Sequence, residues 1–142
     1  NKHSEFGERA LGARSIISMA DKSKNKEIIN SKIKYREDYR PFAPICLRKH
    51  AHLYFEVEEE YQCRTMEKVV KVKKEFINKL PAITHFDYTA RLQTLQNDSN
   101  LWIAKILDSM NEMELIPVLV NTSFNLNGEP NVEDIDDIGV ED

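Results

Sequence analysis

A chain of 142 residues, 41% of them hydrophobic, is long enough to form one compact domain with its own core. The net charge of −4 argues against nucleic acid as a partner, because a general nucleic-acid binder needs a broad basic surface. No apolar run of about 18 residues occurs, so we expect no transmembrane helix and no membrane partner. The two cysteines, Cys46 and Cys63, are too few for a disulfide framework, which favours a reducing, cytoplasmic location.

The charges are unevenly distributed along the chain. Residues 1–50 contain 12 Lys/Arg against 6 Asp/Glu, whereas residues 51–142 contain 8 against 18. A basic first third on an acidic body is typical of a local anion pocket, although plain surface patterning produces the same counts.

Hydrophobic periodicity predicts interleaved helices and strands. In chain order, we expect helices at 8–19 and 26–34, a strand at 45–47, helical turns at 51–55, a strand at 66–72, a short helix at 73–80, a strand at 82–95, a helix at 101–113 and a buried strand at 116–120. This order predicts an α/β (mixed α+β) fold. The chain begins without Met, so we expect a single domain, 1–142, from a longer protein, with a frayed acidic tail at 131–142.

Five hydrogen-bonding side chains alternate with mostly apolar ones in the predicted strand at 82–95. They are His85, Asp87, Thr89, Arg91 and Gln93. Because side chains two apart share one face of a strand, this pattern predicts a polar face suited to a small anionic ligand. A varied solvent-exposed face is the alternative.

A second cluster contains three cations, Lys34, Arg36 and Arg40, followed by the stiff segment 41–44. Arginine offers a planar fork and lysine a point charge, and both suit phosphate recognition. The intervening acids, Glu37 and Asp38, allow an exposed mixed-charge loop instead.

The third cluster, 121–125, follows the buried strand at 116–120. Its polar side chains lie at the strand edge where α/β sheets tend to bind ligands, and a polar turn is the alternative. The fourth, 5–15, contains Gly7 and Gly12, but it is not a P-loop because Ala13 stands where a lysine is needed.

A metal site is not expected in this domain. His50 and His52 would share a face in a strand, but no third ligand is evident. Cys46 lies in an apolar run and is expected in the core.

Taken in order, the four clusters resemble the C-terminal domain of the NodU/CmcH-type O-carbamoyltransferases. The family pattern reads approximately GPRALGxRS, KxRExxRPFAP, HxDxTARxQ and NTSFNxxGEP. The matching segments here are EFGERALGARS, KYREDYRPFAP, HFDYTARLQT and NTSFNLNGEP. Three positions depart from the pattern: Glu8 replaces a proline, Tyr88 a common glycine, and Asn131 an apolar residue.

The resemblance implies a YrdC-like fold, a twisted mixed sheet flanked by helices with a concave, positively charged surface. It implies a domain that makes carbamoyl-adenylate from carbamoyl phosphate and ATP, the latter with its Mg²⁺. A preceding domain of the actin/heat-shock-ATPase type, carrying a metal site, would then transfer the carbamoyl group to a hydroxyl acceptor. No protein-bound metal is implied for this domain.

By the motif match, Lys34 and Arg40 hold ATP phosphates with Arg36 beside them. The other implied ATP-binding residues are Asn121, Thr122, Ser123 and Asn125. Because the reaction brings negative charges together, Lys34, Arg40 and Arg91 are the expected catalytic residues.

The same match assigns the carbamoyl phosphate to a second group. Arg14 and Arg91 would hold it, or the carbamate derived from it, and His85, Asp87 and Thr89 would orient the group. Two alternatives stay open. One is a non-catalytic YrdC-like module that binds a nucleotide or RNA, and the other is a structural or regulatory fragment with a vestigial pocket.

Overall fold

The computed structural model describes residues 14–35, 37, 39–99, 101–125 and 132. In chain order, these residues form β1 (Ser15–Met19), α1 (Ser23–Ile28), a π-helical turn (Ile29–Ile33), β2 (Ala43–Leu47), α2 (Arg48–Tyr54), β3 (Val69–Lys71), a 3-10 turn (Lys74–Phe76), β4 (Thr89–Arg91), β5 (Gln93–Leu95), α3 (Trp102–Glu112) and β6 (Val118–Ser123). The predicted mixed α+β fold is confirmed.

Four strands form a mixed sheet in the order β1-β6-β2-β5. The inner strand β6 runs antiparallel to both of its neighbours, β1 and β2. The other inner strand, β2, runs parallel to β5. The strands β3 and β4 form a separate antiparallel pair. The register places Asn121 of β6 beside Ile17 of β1 and Ala43 of β2.

The mixed sheet packs against other elements on both faces. One face packs under α3, which covers it with Ile103, Ala104, Leu107 and Met110, against Ile45, Leu47, Leu95 and Leu119. The other face contributes Cys46, Val118 and Val120 to a larger cluster with α2. The broad apolar stripe read in residues 101–113 is therefore the stripe that attaches α3 to the sheet.

The predicted helix at 8–19 is wrong over its second half. Residues Ser15–Met19 form a strand, and residues 8–13 lie outside the described part of the chain. Ile16 and Ile17 are β-branched, and pairing with β6 satisfies their backbone groups along a sheet edge. This long-range pairing overrides the local helical spacing.

The predicted continuous strand at 82–95 is also wrong. Tyr88 N donates to His85 O (3.0 Å) and His85 N donates to Thr89 O (2.8 Å), so the chain turns tightly at 85–88. Only the residues after this turn are extended, and they split between two sheets, with β4 pairing to β3 and β5 to β2. The alternating polar residues consequently do not share one strand face.

Tyr88 has a φ of 65°, a left-handed conformation that is costly for a side chain with a Cβ and free for glycine. This explains why the related pattern carries glycine here. We expect Tyr88→Gly to raise the free energy of unfolding by about 0.5–1 kcal/mol, since relief of strain exceeds the added entropy of the unfolded chain. Chemical denaturation measures this change. Tyr39→Gly, at an exposed tyrosine without positive φ, is the control and should destabilise; equal losses in both variants would contradict the explanation.

None of the helices in the described part of the chain combines the length and apolar character needed to cross a bilayer.

Candidate functional site

One end of the sheet face under α3 is polar. Along β6 this face carries Leu119, then Asn121, then Ser123, because alternate residues of a strand share a face. Ser15 of β1 lies opposite Ser123, and Gln93 of β5 precedes Leu95 on the same face. We call Ser15, Gln93, Asn121 and Ser123 the polar sheet end. The sequence predicted that the polar residues follow a strand ending at residue 120, whereas residues 121–123 are the last three residues of β6.

Gln93 and Asn121 form a buried pair at the polar sheet end. Asn121 Nδ2 donates to Gln93 Oε1 at 2.6 Å, and each residue is only 2% exposed. The bond joins β5 to β6 across β2, where Ala43 stands beside Asn121. A small side chain at that position leaves room for the two amides to meet. Asn121 thus lies beneath the surface and supports the strand that carries Ser123.

Lys34 follows the π-helical turn and reaches the polar sheet end. Its backbone N–H donates to Ile29 O (2.8 Å), the i to i+5 bond of a π-turn, a feature often found at functional sites. The side chain is buried, with 4% exposure. Its Nζ lies 2.6 Å from Ser123 O, 3.1 Å from Ser123 Oγ, 2.8 Å from Asn125 O and 2.6 Å from Asn125 Oδ1.

These four oxygens carry no formal charge, so they solvate the Lys34 ammonium without neutralising it. Contacts with neutral oxygens of this kind do not oppose the attraction of the ammonium for an anion. An ammonium has three N–H donors, so a phosphate oxygen would replace one of the protein oxygens rather than join them. Ser123 Oγ also donates to Asn125 Oδ1, which ties the two residues together.

Arg40 lies in the exposed segment after Lys34. Its guanidinium Nη1 is 3.9 Å from Glu37 Oε2, a weak surface pair. Its carbonyl accepts a hydrogen bond from Asn30 Nδ2 at 2.9 Å. The neighbouring cation, Arg36, lies outside the described residues.

Arg14 joins the first motif to the last. Its carbonyl accepts from Phe124 N (2.8 Å), and its Nε donates to Val132 O (2.9 Å). Thr122 alternates with Asn121 and Ser123 along β6 and so faces the opposite side of the sheet. The fold therefore brings the first, second and fourth motifs together but turns Thr122 away from Lys34.

His85, Asp87, Thr89 and Arg91 form a second group at the 85–88 turn. Thr89 Oγ1 donates to Asp87 Oδ1 at 2.6 Å, and this hydrogen bond lowers the pKa of the Asp87 carboxyl. Burial lowers the pKa of His85; the Asp87 charge opposes this shift and the Arg91 charge adds to it. The group thus pairs a charged carboxylate with a neutral imidazole near a guanidinium. Arg91 stands two residues before Gln93, so the group adjoins the polar sheet end along the chain.

A groove of about 540 Å³ borders this turn. The residues that line it include Asp87, Tyr88, Lys71 and Lys74. A smaller cavity of about 230 Å³ is lined by residues that include Gln93 and Leu95 of β5. The Asp87 carboxylate therefore faces a lysine-containing groove, a setting different from the strand face that the sequence predicted.

Within the described ranges, no three His, Cys, Asp or Glu side chains come together as ligands for a metal ion. His50 and His52 lie in the helix α2 and not in a strand, so the face they were expected to share is absent. Cys46 is fully buried, as predicted, and burial raises its pKa to about 12. The thiol is therefore protonated at neutral pH and is a poor nucleophile.

Gln93 is the site residue that sequence reasoning left without a role. It stood at the end of the alternating polar line, which pointed to a ligand face. No local sequence signal distinguishes it, because the burial of residues 92–95, which gives this polar side chain an internal partner, is seen only in the structure.

The family described as "Carbamoyltransferase C-terminus" matches residues 1–140. The chain belongs to this family. It is 44% identical over 135 residues to the nodulation protein NolO of Bradyrhizobium diazoefficiens, covering 94% of this chain and 25% of that protein. It is 43% identical to NolNO of Sinorhizobium fredii, covering 94% of this chain and 20% of that protein.

Nodulation protein U of Sinorhizobium fredii is 38% identical over 125 residues, which cover 88% of this chain and 22% of that protein. The resemblance drawn from the four motifs is thus confirmed. The chain of this carbamoyltransferase family member spans a quarter or less of the length of these three relatives.

Proposed function

We propose that this chain forms carbamoyl-adenylate from ATP and carbamoyl phosphate within an O-carbamoyltransferase. The observation that carries the proposal is the buried Lys34 ammonium, which contacts four neutral oxygens of Ser123 and Asn125. A buried positive charge in contact with neutral oxygens is suited to binding a polyphosphate. Membership of the carbamoyltransferase family supports the carbamoyl donor.

The reaction has two balanced steps. Water first breaks the bond between the carbamoyl carbon and the bridging oxygen of carbamoyl phosphate, which yields carbamate, phosphate and a proton. A carbamate oxygen then bonds to the α-phosphorus of ATP, and the bond from this phosphorus to the β-bridging oxygen breaks, which releases pyrophosphate. Both reactants of the second step are anions, so the barrier contains a large electrostatic part that preorganised cations reduce.

In this proposal, two of the cations bind ATP and two bind the carbamoyl donor. Lys34 and Arg40 bind the ATP phosphates, and Lys34 exchanges one of its protein oxygens for a phosphate oxygen. Arg91 and Arg14 hold the carbamoyl phosphate and then the carbamate. Ser123 and Asn125, released in part from Lys34, contact the nucleotide. Because Cys46 is protonated and buried, the described residues favour charge stabilisation and positioning over covalent catalysis.

A Mg²⁺ ion would enter bound to ATP, since magnesium is usually held by phosphates and one or two carboxylates. A further domain of the actin/heat-shock-ATPase type in the whole protein would bind the hydroxyl acceptor and transfer the carbamoyl group to it.

Titration calorimetry with ATP tests the nucleotide site through Arg40→Ala. We expect binding about tenfold weaker than in the unchanged chain, since a charge-assisted contact with phosphate is lost. Stability should change by less than about 0.5 kcal/mol, because the Arg40 side chain is half exposed and only weakly paired.

Arg48→Ala is the matched control, since Arg48 also pairs with a glutamate, Glu60, at 3.2 Å but lies on α2. Equal ATP affinity in Arg40→Ala and the unchanged chain would refute the phosphate assignment. Pyrophosphate release that depends on carbamoyl phosphate tests the chemistry. ATP binding without such release would favour a non-catalytic nucleotide-binding module.

A further inference from the structure

Asn30 is a fully buried polar residue in the π-helical turn that precedes Lys34, with 0% exposure. Its Nδ2 donates to Arg40 O at 2.9 Å. A buried amide is retained where its hydrogen bonds are made, and this bond connects two residues ten positions apart. No motif read from the sequence includes Asn30.

The Asn30–Arg40 bond closes the chain segment that bears both proposed phosphate ligands. Lys34 stands near one end of this segment, and Arg40 stands at the other, directly before Pro41. Within the segment, Arg40 N donates to Glu37 O (3.2 Å), which is a local turn. The Asn30 side chain therefore adds a tie between the helix and the returning chain.

The π-helical turn gives this tie its geometry. The turn runs from Ile29 to Ile33 and ends with Lys34 N donating to Ile29 O. Asn30 thus sits inside the same turn that places Lys34 against Ser123. One short element therefore does two things. Its backbone hydrogen bond positions Lys34, and its Asn30 side chain holds the Arg40 carbonyl.

We propose that Asn30 is a positioning residue, which holds Lys34 and Arg40 at a fixed separation suited to adjacent phosphates of a nucleoside triphosphate. It touches no substrate and acts through the backbone of Arg40. Without it, the segment from Lys34 to Arg40 would have to be ordered when the ligand binds, and the entropy of that ordering would weaken binding. The identity of the anion rests on the proposed function.

The test compares Asn30→Ala with Asn25→Ala in the 142-residue chain. Asn25 is the matched control, because it lies in α1, directly before the π-helical turn, and its Nδ2 donates to the backbone carbonyl of Met19 (3.2 Å) instead of that of Arg40. Two quantities are measured: the dissociation constant for ATP by calorimetry, and amide hydrogen exchange at Tyr35, Glu37, Tyr39 and Arg40. Asn30→Ser is made as a second variant in case Asn30→Ala does not fold.

For Asn30→Ala we expect a dissociation constant about tenfold higher and faster exchange at the four amides. Asn25→Ala should leave both unchanged. Equal weakening in the two variants, or unchanged exchange in Asn30→Ala and Asn30→Ser, would overturn the proposal. If the unchanged chain does not bind ATP, the proposed function fails, and the exchange measurement alone decides whether Asn30 orders the segment.

Discussion

Lys34→Ala is expected to weaken ATP binding about tenfold or more and to lower the free energy of unfolding by about 2–3 kcal/mol. Both effects have one origin. The Lys34 ammonium donates to oxygens of Ser123 and Asn125, so the variant removes hydrogen-bond donors from partly buried acceptors as well as removing the cation. Calorimetric titration and urea denaturation measure the two quantities separately.

Lys32→Ala is the matched control for this variant. Lys32 belongs to the same π-helical turn but is exposed, so its loss should leave both affinity and stability nearly unchanged. Lys34→Met keeps the length of the apolar stem and removes the charge, which separates packing from electrostatics. ATP affinity unchanged in Lys34→Ala and in Lys34→Met would exclude Lys34 as a phosphate ligand.

Gln93→Leu is expected to lower the free energy of unfolding by about 1–3 kcal/mol, because it leaves the Asn121 amide without its acceptor in a buried position. In a double-mutant cycle with Asn121→Leu, the coupling energy should reach about 1 kcal/mol or more. Denaturation of the four proteins of the cycle gives this energy directly.

Thr94→Val provides the comparison for this cycle. Thr94 is equally buried and adjacent to Gln93, but its Oγ1 accepts from Cys63 N at 2.8 Å and so serves a different partner. Thr94→Val and Asn121→Leu should therefore be additive within about 0.5 kcal/mol. Additivity of Gln93→Leu with Asn121→Leu would show that the short amide contact contributes nothing specific to the native state.

Sequence periodicity predicted most elements whose side-chain spacing matches a single environment. The stripe in residues 101–113 is seen as α3, and the apolar run at 116–120 begins β6. The prediction was wrong where one continuous segment contributes residues to different structural elements. Residues 82–95 alternate as a strand would, but a four-residue turn and two separate sheets interrupt them. The turn that these hydrogen bonds form produces no periodic spacing of apolar and polar residues, so the sequence pattern does not reveal it.

The candidate site was predicted in its residue types better than in its geometry. The motifs named Lys34, Ser123 and Asn125, and the fold places these three in direct contact. The polar line His85–Gln93 was read as one face, yet His85 and Asp87 lie at a turn while Gln93 is buried within the polar sheet end. Burial depends on what packs against a residue, and a local pattern does not contain that information.

By itself, the amino-acid sequence determined the carbamoyltransferase family and the kinds of charged and polar groups at the site, because four ordered motifs specify chemical identity. Only the tertiary structure decided how these groups are used. The partners of Lys34 lie 89 and 91 residues away, and the partner of Gln93 lies 28 residues away. Contacts at such separations arise from strand pairing and close packing, so they leave no trace in local spacing.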